Sequence, residues 1–329
     1  MPVARQLTLQ IASRAAGDLG LFGGFSSLAS GTTETAMLLR AMNETARDAY
    51  TGGLLIREHT FYTADGQASY PLPSDYFLPW TGTTWNRTDQ WSMRHAGRTE
   101  WQANKSGFTA STVHQRYHIM PATGTGVYGA AVDASDQYTL RRLHIDPVPS
   151  SAERIAFNYR SDHWCEGSLS GTGVITGVTL SGTDEVVVTV TAAHSKSAGD
   201  VFAFVGVGGT TELNHNTYTA SAVGSDTITL MGTNSADFTA WTAGGNAVFL
   251  TDLPEDGTGT YSLVPEDLMD RGVVYRLRRR MGMSYLDHKL EYDDLLAAYI
   301  GQHGEHRVNI GGEQVGNYPG IPEGNFPAS

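Results

Sequence analysis

The sequence predicts an α+β protein: a host domain of helices and a small sheet, interrupted by an all-β insert. Three observations carry that prediction. Residues 168–249 hold fifteen threonines and twelve glycines, with no proline and no arginine. Their apolar residues follow strand patterns, as in Val186-Val187-Val188-Thr189-Val190 and Thr227-Ile228-Thr229-Leu230, the signature of short, half-buried strands. Helical periodicity, by contrast, is confined to the two ends of the chain. The host halves therefore have to be read together. Four divisions follow: 1–166, a helical hairpin and then a β region; 168–249, an insert expected to be barrel-like; 250–307, the closing helices; and 308–329, an extended arm.

Leu7, Ile11, Ala15 and Leu19 fall at helical spacing and predict a first helix of about four turns, ended by Gly20, Gly23 and Gly24. Thr32 is placed to cap a second helix with Glu34 in its first turn. Its stripe runs through Thr35, Leu38, Leu39, Met42, Ala46 and Ala49 to the stop at Gly52-Gly53. From Glu58 the period becomes two, through His59, Phe61 and Thr63, and Ala64-Asp65-Gly66 turns the chain into a strand from Gln67 to Leu72. Pro71 and Pro73 mark that strand as an edge. Residues 79–112 lack a period and read as loop with short strands. Arg116–Met120, Tyr138–Ile145 and Arg154–Tyr159 are further strands. Pro265-Glu266-Asp267-Leu268 opens a helix, with proline and acids at its positive end. Gly282 divides it from a second helix through Leu286, Leu290, Leu295, Leu296 and Tyr299. Leu268, Val274, Leu277, Leu290 and Leu295 are assigned to the host core.

Bulk properties narrow the function. A chain of 329 residues is long enough for two or three domains. Net charge is −12, and the insert supplies five of those units, six acids against Lys196. Such a chain is a poor candidate for gripping phosphates, although DNA passing without adhering is compatible with it. Cys165 is the only cysteine, which excludes an intrachain disulfide and disfavours a thiolate zinc site. No stretch approaches the ~18–20 apolar residues of a membrane span, and Met1–Gln10 has no secretory apolar segment. A soluble protein made in a cytoplasm, with no membrane partner, is expected.

Candidate chemistry is sparse. Cys165 beside His163 and Trp164 reads as a buried thiol rather than a nucleophile. His303 and His306 are three apart beside Gly304, and His114 and His118 have the i, i+4 separation but fall in a region that reads as a strand, so they need not share a face as on a helix. Gly17-Asp18-Leu19-Gly20-Leu21-Phe22-Gly23 follows a helix and lacks the lysine of a nucleotide cradle. Asp133, Asp136, Asp162 and Asp184 are scattered and form no paired-acid site. The expectation is a protein that is not an enzyme, with no cofactor and no metal. Arg276, Arg278, Arg279 and Arg280 are the strongest charge feature. They read as a contact for an acidic protein surface, as a solvated helix end favoured by the dipole, or as a touch on DNA. Tyr218 and Trp241 are the candidate exposed aromatics of the insert. They are the residues that would line a sugar platform if the insert recognised a host-surface glycan.

Several segments, in order, resemble the head-to-tail adaptor family of tailed bacteriophages. They are the N-terminal helix pair, then Phe61-Tyr62-Thr63-Ala64-Asp65-Gly66-Gln67-Ala68-Ser69-Tyr70-Pro71-Leu72-Pro73, then Leu143-His144-Ile145-Asp146-Pro147-Val148-Pro149. Ile155-Ala156-Phe157-Asn158-Tyr159-Arg160 and Leu263-Val264-Pro265-Glu266-Asp267-Leu268 complete the series. It spans roughly 1–166 and 250–310. The resemblance implies a structural protein of the virion neck, assembled in the host cytoplasm as a twelve-membered ring. Such a ring joins the portal above to a nozzle or tail tube below, and DNA passes through its channel without sequence-specific binding. Under it, the arginines and the arm residues Tyr318, Pro319, Ile321 and Phe326 become contacts for the portal or a neighbouring subunit. The insert resembles a phage β-barrel module related to the half-domain of ubiquitin-activating enzymes. That likeness rests on Thr191-Ala192-Ala193-His194, Gly199-Asp200-Val201, Thr211–Thr219 and Asp237–Gly245; it carries no enzymatic chemistry, and the insert is expected to project outward.

Overall fold

The computed structural model describes residues 8–20, 28, 32–106, 115–121, 141–169, 173–182, 185–191, 194–214, 216–252 and 260–303. The fold is mixed α+β. Helix α1 (Thr8–Asp18) buries Ile11, Ala12, Ala15 and Ala16, and α2 (Thr33–Thr51) buries Leu38, Met42, Ala46 and Ala49, the stripes that the spacing predicts. The Thr32 hydroxyl caps α2, accepting from the Thr35 N–H at 3.2 Å. Gly53 leaves the helix at φ 91, and a Cβ there would run into the Trp80 ring.

Among the described residues, nine strands of the host follow, with one helix among them. They are β1 (Ile56–Tyr62), β2 (Ser69–Pro71), β3 (Tyr76–Pro79), β4 (Trp85–Asn86), β5 (Trp91–Ser92) and β6 (Arg94–His95), then α3 (Arg98–Lys105). After it come β7 (Arg116–Pro121), β8 (Arg141–Asp146) and β9 (Arg154–Ser161). Strand β9 centres one sheet, with β1 on one edge and β3 and β4 on the other; β2, β8, β7 and β6 form a second. The two sheets share a core that includes Phe61, Tyr70, Tyr117, Leu143, Ile155 and Phe157. As the prolines imply, β2 is an edge strand. The short strands read in 79–112 are β4, β5 and β6, and helix α3 is what that reading lacked. It is eight residues long and buries only Trp101, too little to leave a period in the sequence.

Next come β10 (Cys165–Ser168), then the insert strands β11 (Ile175–Thr179), β12 (Val187–Val190), β13 (Val201–Val205), β14 (Thr217–Val223), β15 (Thr227–Leu230) and β16 (Asn246–Thr251), and then β17 (Thr260–Ser262). Their order is β11-β12-β15-β14-β13-β16-β10-β17. Ile175 N–H donates to Gly245 O at 2.9 Å and Ala247 N–H to Gly173 O at 2.6 Å, so the path from β11 to β16 returns upon itself. It encloses Val188, Phe202, Phe204, Leu213, Ile228 and Leu230. The hydrogen-bonded unit is wider than the compositional block 168–249. Strands β10 and β17, outside the Thr/Gly-rich stretch, extend its sheet because the free edge of β16 would otherwise leave backbone groups unpaired.

Nor does the insert stand clear of the host. Strand β14 lies against β1, the Ser74 hydroxyl donates to Gly199 O at 2.5 Å, and Gly232 packs closely on Phe61. The insert thus shares a docked face with the host sheet.

The chain closes with α4 (Glu266–Arg280) and α5 (Leu286–His303). Gly282, at φ 71, ends α4: its N–H reaches Arg279 O and the next N–H reaches Arg278 O at 2.9 Å, a Schellman stop. Helix α4 packs against α1, α2 and α5. The N-terminal helix pair thus finds the third partner that its stripes require in α4, which offers buried residues nearly all round, Leu268, Met269, Val273, Val274 and Leu277 among them.

Candidate functional site

The four arginines of α4 have different fates. Arg276 is buried. Its guanidinium donates to Thr45 Oγ1 at 3.0 Å, to Gly272 O at 3.1 Å and to Glu44 O at 3.3 Å, and it pairs with Asp48. It also lies over the rings of Tyr275 and Tyr292. Arg276 thus ties α4 to α2 inside the domain and is not a partner contact: every face of the fork is occupied by its own chain. Arg280 is half-buried and pairs with Glu44 at 2.6 Å; Arg278 reaches Ser284 O at 3.4 Å. Arg279 alone of the four is exposed. Tyr318, Pro319, Ile321, Phe326 and His306 lie outside the described residues, as does His114.

A second surface lies where the sequence placed core. Leu286 and Leu290 are each 63% exposed, and Met281 and Met283 are 41% and 38% exposed. Leu268, Val274 and Leu277 are buried and Leu295 is partly buried against the same core, but Leu290 is not a core residue. It projects from the side of α5 opposite Tyr292, which is 1% exposed. Four large apolar side chains left exposed within ten residues, from the end of α4 into α5, are of the kind that marks a protein contact.

The third surface is concave and sits at the seam between the insert and the β9 sheet. Residues 58, 60 and 62 of β1 alternate onto one face, and Arg154, paired across the strands with Tyr62, shares it. With Tyr218 and Asp237 of the insert they line a cleft of about 230 Å³. A shallower depression of about 720 Å³ continues it past Trp85, Gln90 and Asn158, and Glu58 and Arg87 line both. Arg87 is held by Glu58 at 2.8 Å. Burial raises the Asp237 carboxyl above its ordinary range. Among the described residues only Gln90 combines a side chain with positive φ, at 62; a Cβ is disfavoured there, and such strain concentrates at functional positions.

Tyr218 and Trp241 do not form an exposed aromatic platform. Both are half-buried against the insert core, because each ring supplies part of that core and each polar end is already bonded. The Tyr218 hydroxyl donates to Glu212 O at 3.1 Å and burial pushes it up to about 12; Trp241 Nε1 donates to Gly244 O at 3.1 Å. Tyr218 lines the seam cleft, and Trp241 does not.

The buried ionisable groups serve packing. Asp75, fully buried, accepts from Tyr159 Oη at 2.8 Å and Ser161 Oγ at 2.6 Å and faces Arg57 at 3.5 Å. Arg57 in turn donates to His163 O, which fastens β1, β3 and β9 to the chain entering β10. His163 pairs with Asp162 at 2.8 Å. Cys165 is buried, and burial, aided by Asp252, lifts its thiol well above the ordinary range, the opposite of an activated nucleophile. His144 is lowered to about 4 by burial and then by Arg142, His118 and Lys105; it and His118 lie against Trp101, and His95 lies against His118. Among the described residues no group of three or more His, Cys, Asp or Glu side chains is arranged to hold a metal, and no helix is long and apolar enough to cross a membrane. No protein-family model matches the chain, and no curated protein matches it in sequence.

Proposed function

We propose that this chain is a structural subunit of a phage neck, assembling with copies of itself into a ring that adapts the portal to the tail and continues the DNA channel. In this reading α1, α2, α4 and α5 form a helical bundle in the ring wall, the host sheets face the next tail protein, and the insert is a barrel module docked on them. The observation that carries it is the exposed apolar strip Met281, Met283, Leu286 and Leu290 beside a helical core that is otherwise closed. A second copy of the chain suits that strip. Around it α5 turns Asp287 and Asp294 to solvent, whereas the α2 and α4 side of the domain turns out Arg47 and Arg279. Two unlike, complementary faces on one subunit give a head-to-tail contact, and a head-to-tail contact that closes is a ring.

The test measures the mass of the full chain by light scattering, with and without purified portal particles of the same phage. A closed ring on the portal is expected, lost when Leu286 and Leu290 are both replaced by serine, and lost again when residues 308–329 are removed from an otherwise folded chain. A wild-type chain that neither self-associates nor joins the portal would sink the reading. So would turnover of a cell-wall substrate that disappears with one carboxylate.

A further inference from the structure

We infer that the seam between the insert and the β9 sheet is a binding groove for an acidic oligosaccharide. This goes beyond the ring and does not depend on it. The closed end, about 230 Å³, is smaller than the ~300–1,000 Å³ of clefts that take a drug-sized ligand, so it fits a single small unit. The open end continues for about 720 Å³ along the same sheet face, room for a chain to leave the cleft without turning. A linear polymer of small units has that shape.

The lining selects the chemistry. Tyr62 at the closed end and Trp85 at the open one, with the partly buried Tyr218 and Phe238 behind the closed end, give the groove aromatic lining for the apolar side of a pyranose. Amides and carboxylates interleave with them: Asn216, Asn234 and Asp237, then Gln90 and Asn158. Planar groups of this kind satisfy neighbouring hydroxyls in pairs. Arg154 supplies the charge preference. Arg87 is spent on Glu58, but the Arg154 side chain is exposed at the cleft and has no carboxylate partner among the described residues, so a sugar carboxylate completes a fork that the protein leaves open. Gln90, held at positive φ on the open end, fits a residue kept for contact rather than for turn stability.

A nucleic acid fits less well. One open guanidinium among Glu58, Glu212 and Asp237 cannot neutralise a run of phosphates.

The experiment presents the full-length chain to an array of bacterial surface oligosaccharides, neutral and uronate- or sialate-bearing, beside a random peptide library and single-stranded DNA. Retention of acidic oligosaccharides is expected, weakened at least tenfold by Arg154→Ala and by Trp85→Ala. Trp241→Ala, outside the groove, is expected to bind as wild type does. Arg154 is exposed, so its variant keeps the fold, checked by circular dichroism. Absence of any retained oligosaccharide, retention that survives both groove substitutions, or capture of peptide or DNA instead would each overturn the proposal.

Discussion

Helices α4 and α5 are neighbours in sequence and in space, and they are built on opposite principles. Helix α4 buries side chains around most of its circumference, including an arginine, and meets three other helices. Among its described side chains, helix α5 buries one fully, Tyr292, and shows Leu286 and Leu290 to solvent. The first is finished within the chain and the second is not. The difference teaches that an apolar residue at helical spacing identifies a face, while only the neighbours decide whether that face is already covered.

The strongest way to break the contrast is to unpick α4 at Arg276. Arg276→Ala removes the fork that satisfies Thr45, Asp48 and the Glu44 carbonyl. Breaking a buried, hydrogen-bonded ion pair costs ~3–5 kcal/mol, and because Asp48 keeps 43% of its side chain in water, a loss of about 3 kcal/mol is expected from urea unfolding. A change below about 1 kcal/mol would mean that the arginine is dispensable to packing. Gly272→Ala is the next largest. Its Cβ would enter the space of Thr45 and Tyr292, so α4 must shift from α2 and α5 together; overpacking of this kind costs ~1–3 kcal/mol. A variant as stable as wild type would show the three helices to be less closely fitted than they look.

A pH measurement sharpens the comparison with a smaller effect. Asp270 of α4 is raised from 3.8 to about 6 by burial, with Arg14 pulling the other way. Between those values the folded chain holds the extra proton, so this group favours the fold as pH falls from 6 toward 3.8 and opposes it at neutral pH. Asp270→Asn is therefore expected to raise stability at pH 7 by about 1 kcal/mol, well below the ~1.4 kcal/mol per pKa unit of the full shift because the side chain is partly solvated, and to flatten that stretch of the profile. His59 works in the reverse sense elsewhere. It is lowered from 6.5 to about 4 by burial, against the pull of Asp75, so its contribution is complete above 6.5 and disappears toward 4. Subtracting the wild-type curve from the variant's isolates Asp270. A variant no more stable than wild type at pH 7 would reject burial as its dominant influence.

How much was legible follows the same division. The α2 cap at Thr32, the stripe of α1, the turn at Gly66 and the edge character of Pro71 are set by residues within a few positions of one another, and the structure repeats them. What the sequence hid is non-local. Arg276 looks like a cationic helix end until Thr45 and Asp48, more than two hundred positions away, come to meet it. The seam groove joins β1, β9 and the insert, and no spacing along the chain announces that Glu58, Arg154 and Asp237 share a wall. Composition found the insert, but the edge of β16 recruits strands that composition does not mark. One signal was present and went unread. Successive helical residues turn by about 100°, which puts Leu286 and Leu290 opposite Tyr292, Leu295 and Tyr299; a helix apolar on two opposite sides needs two partners.

That second partner is the subject of the smallest expected effect. Replacing Leu286 and Leu290 by serine removes apolar surface that is 63% exposed at each position, so the folded monomer has little to lose. Substitutions of this kind usually stay within about 0.5 kcal/mol, and the unfolding midpoint should be close to wild type at low protein concentration. At high concentration the two chains should separate. If wild type associates through this strip, its midpoint rises with concentration, since anything that binds only the folded form stabilises it by mass action, while the serine variant's midpoint stays fixed. Equal concentration dependence in both would show that copies meet elsewhere. A large loss of stability at low concentration would show instead that α5 is as finished as α4, and the comparison would fall with it.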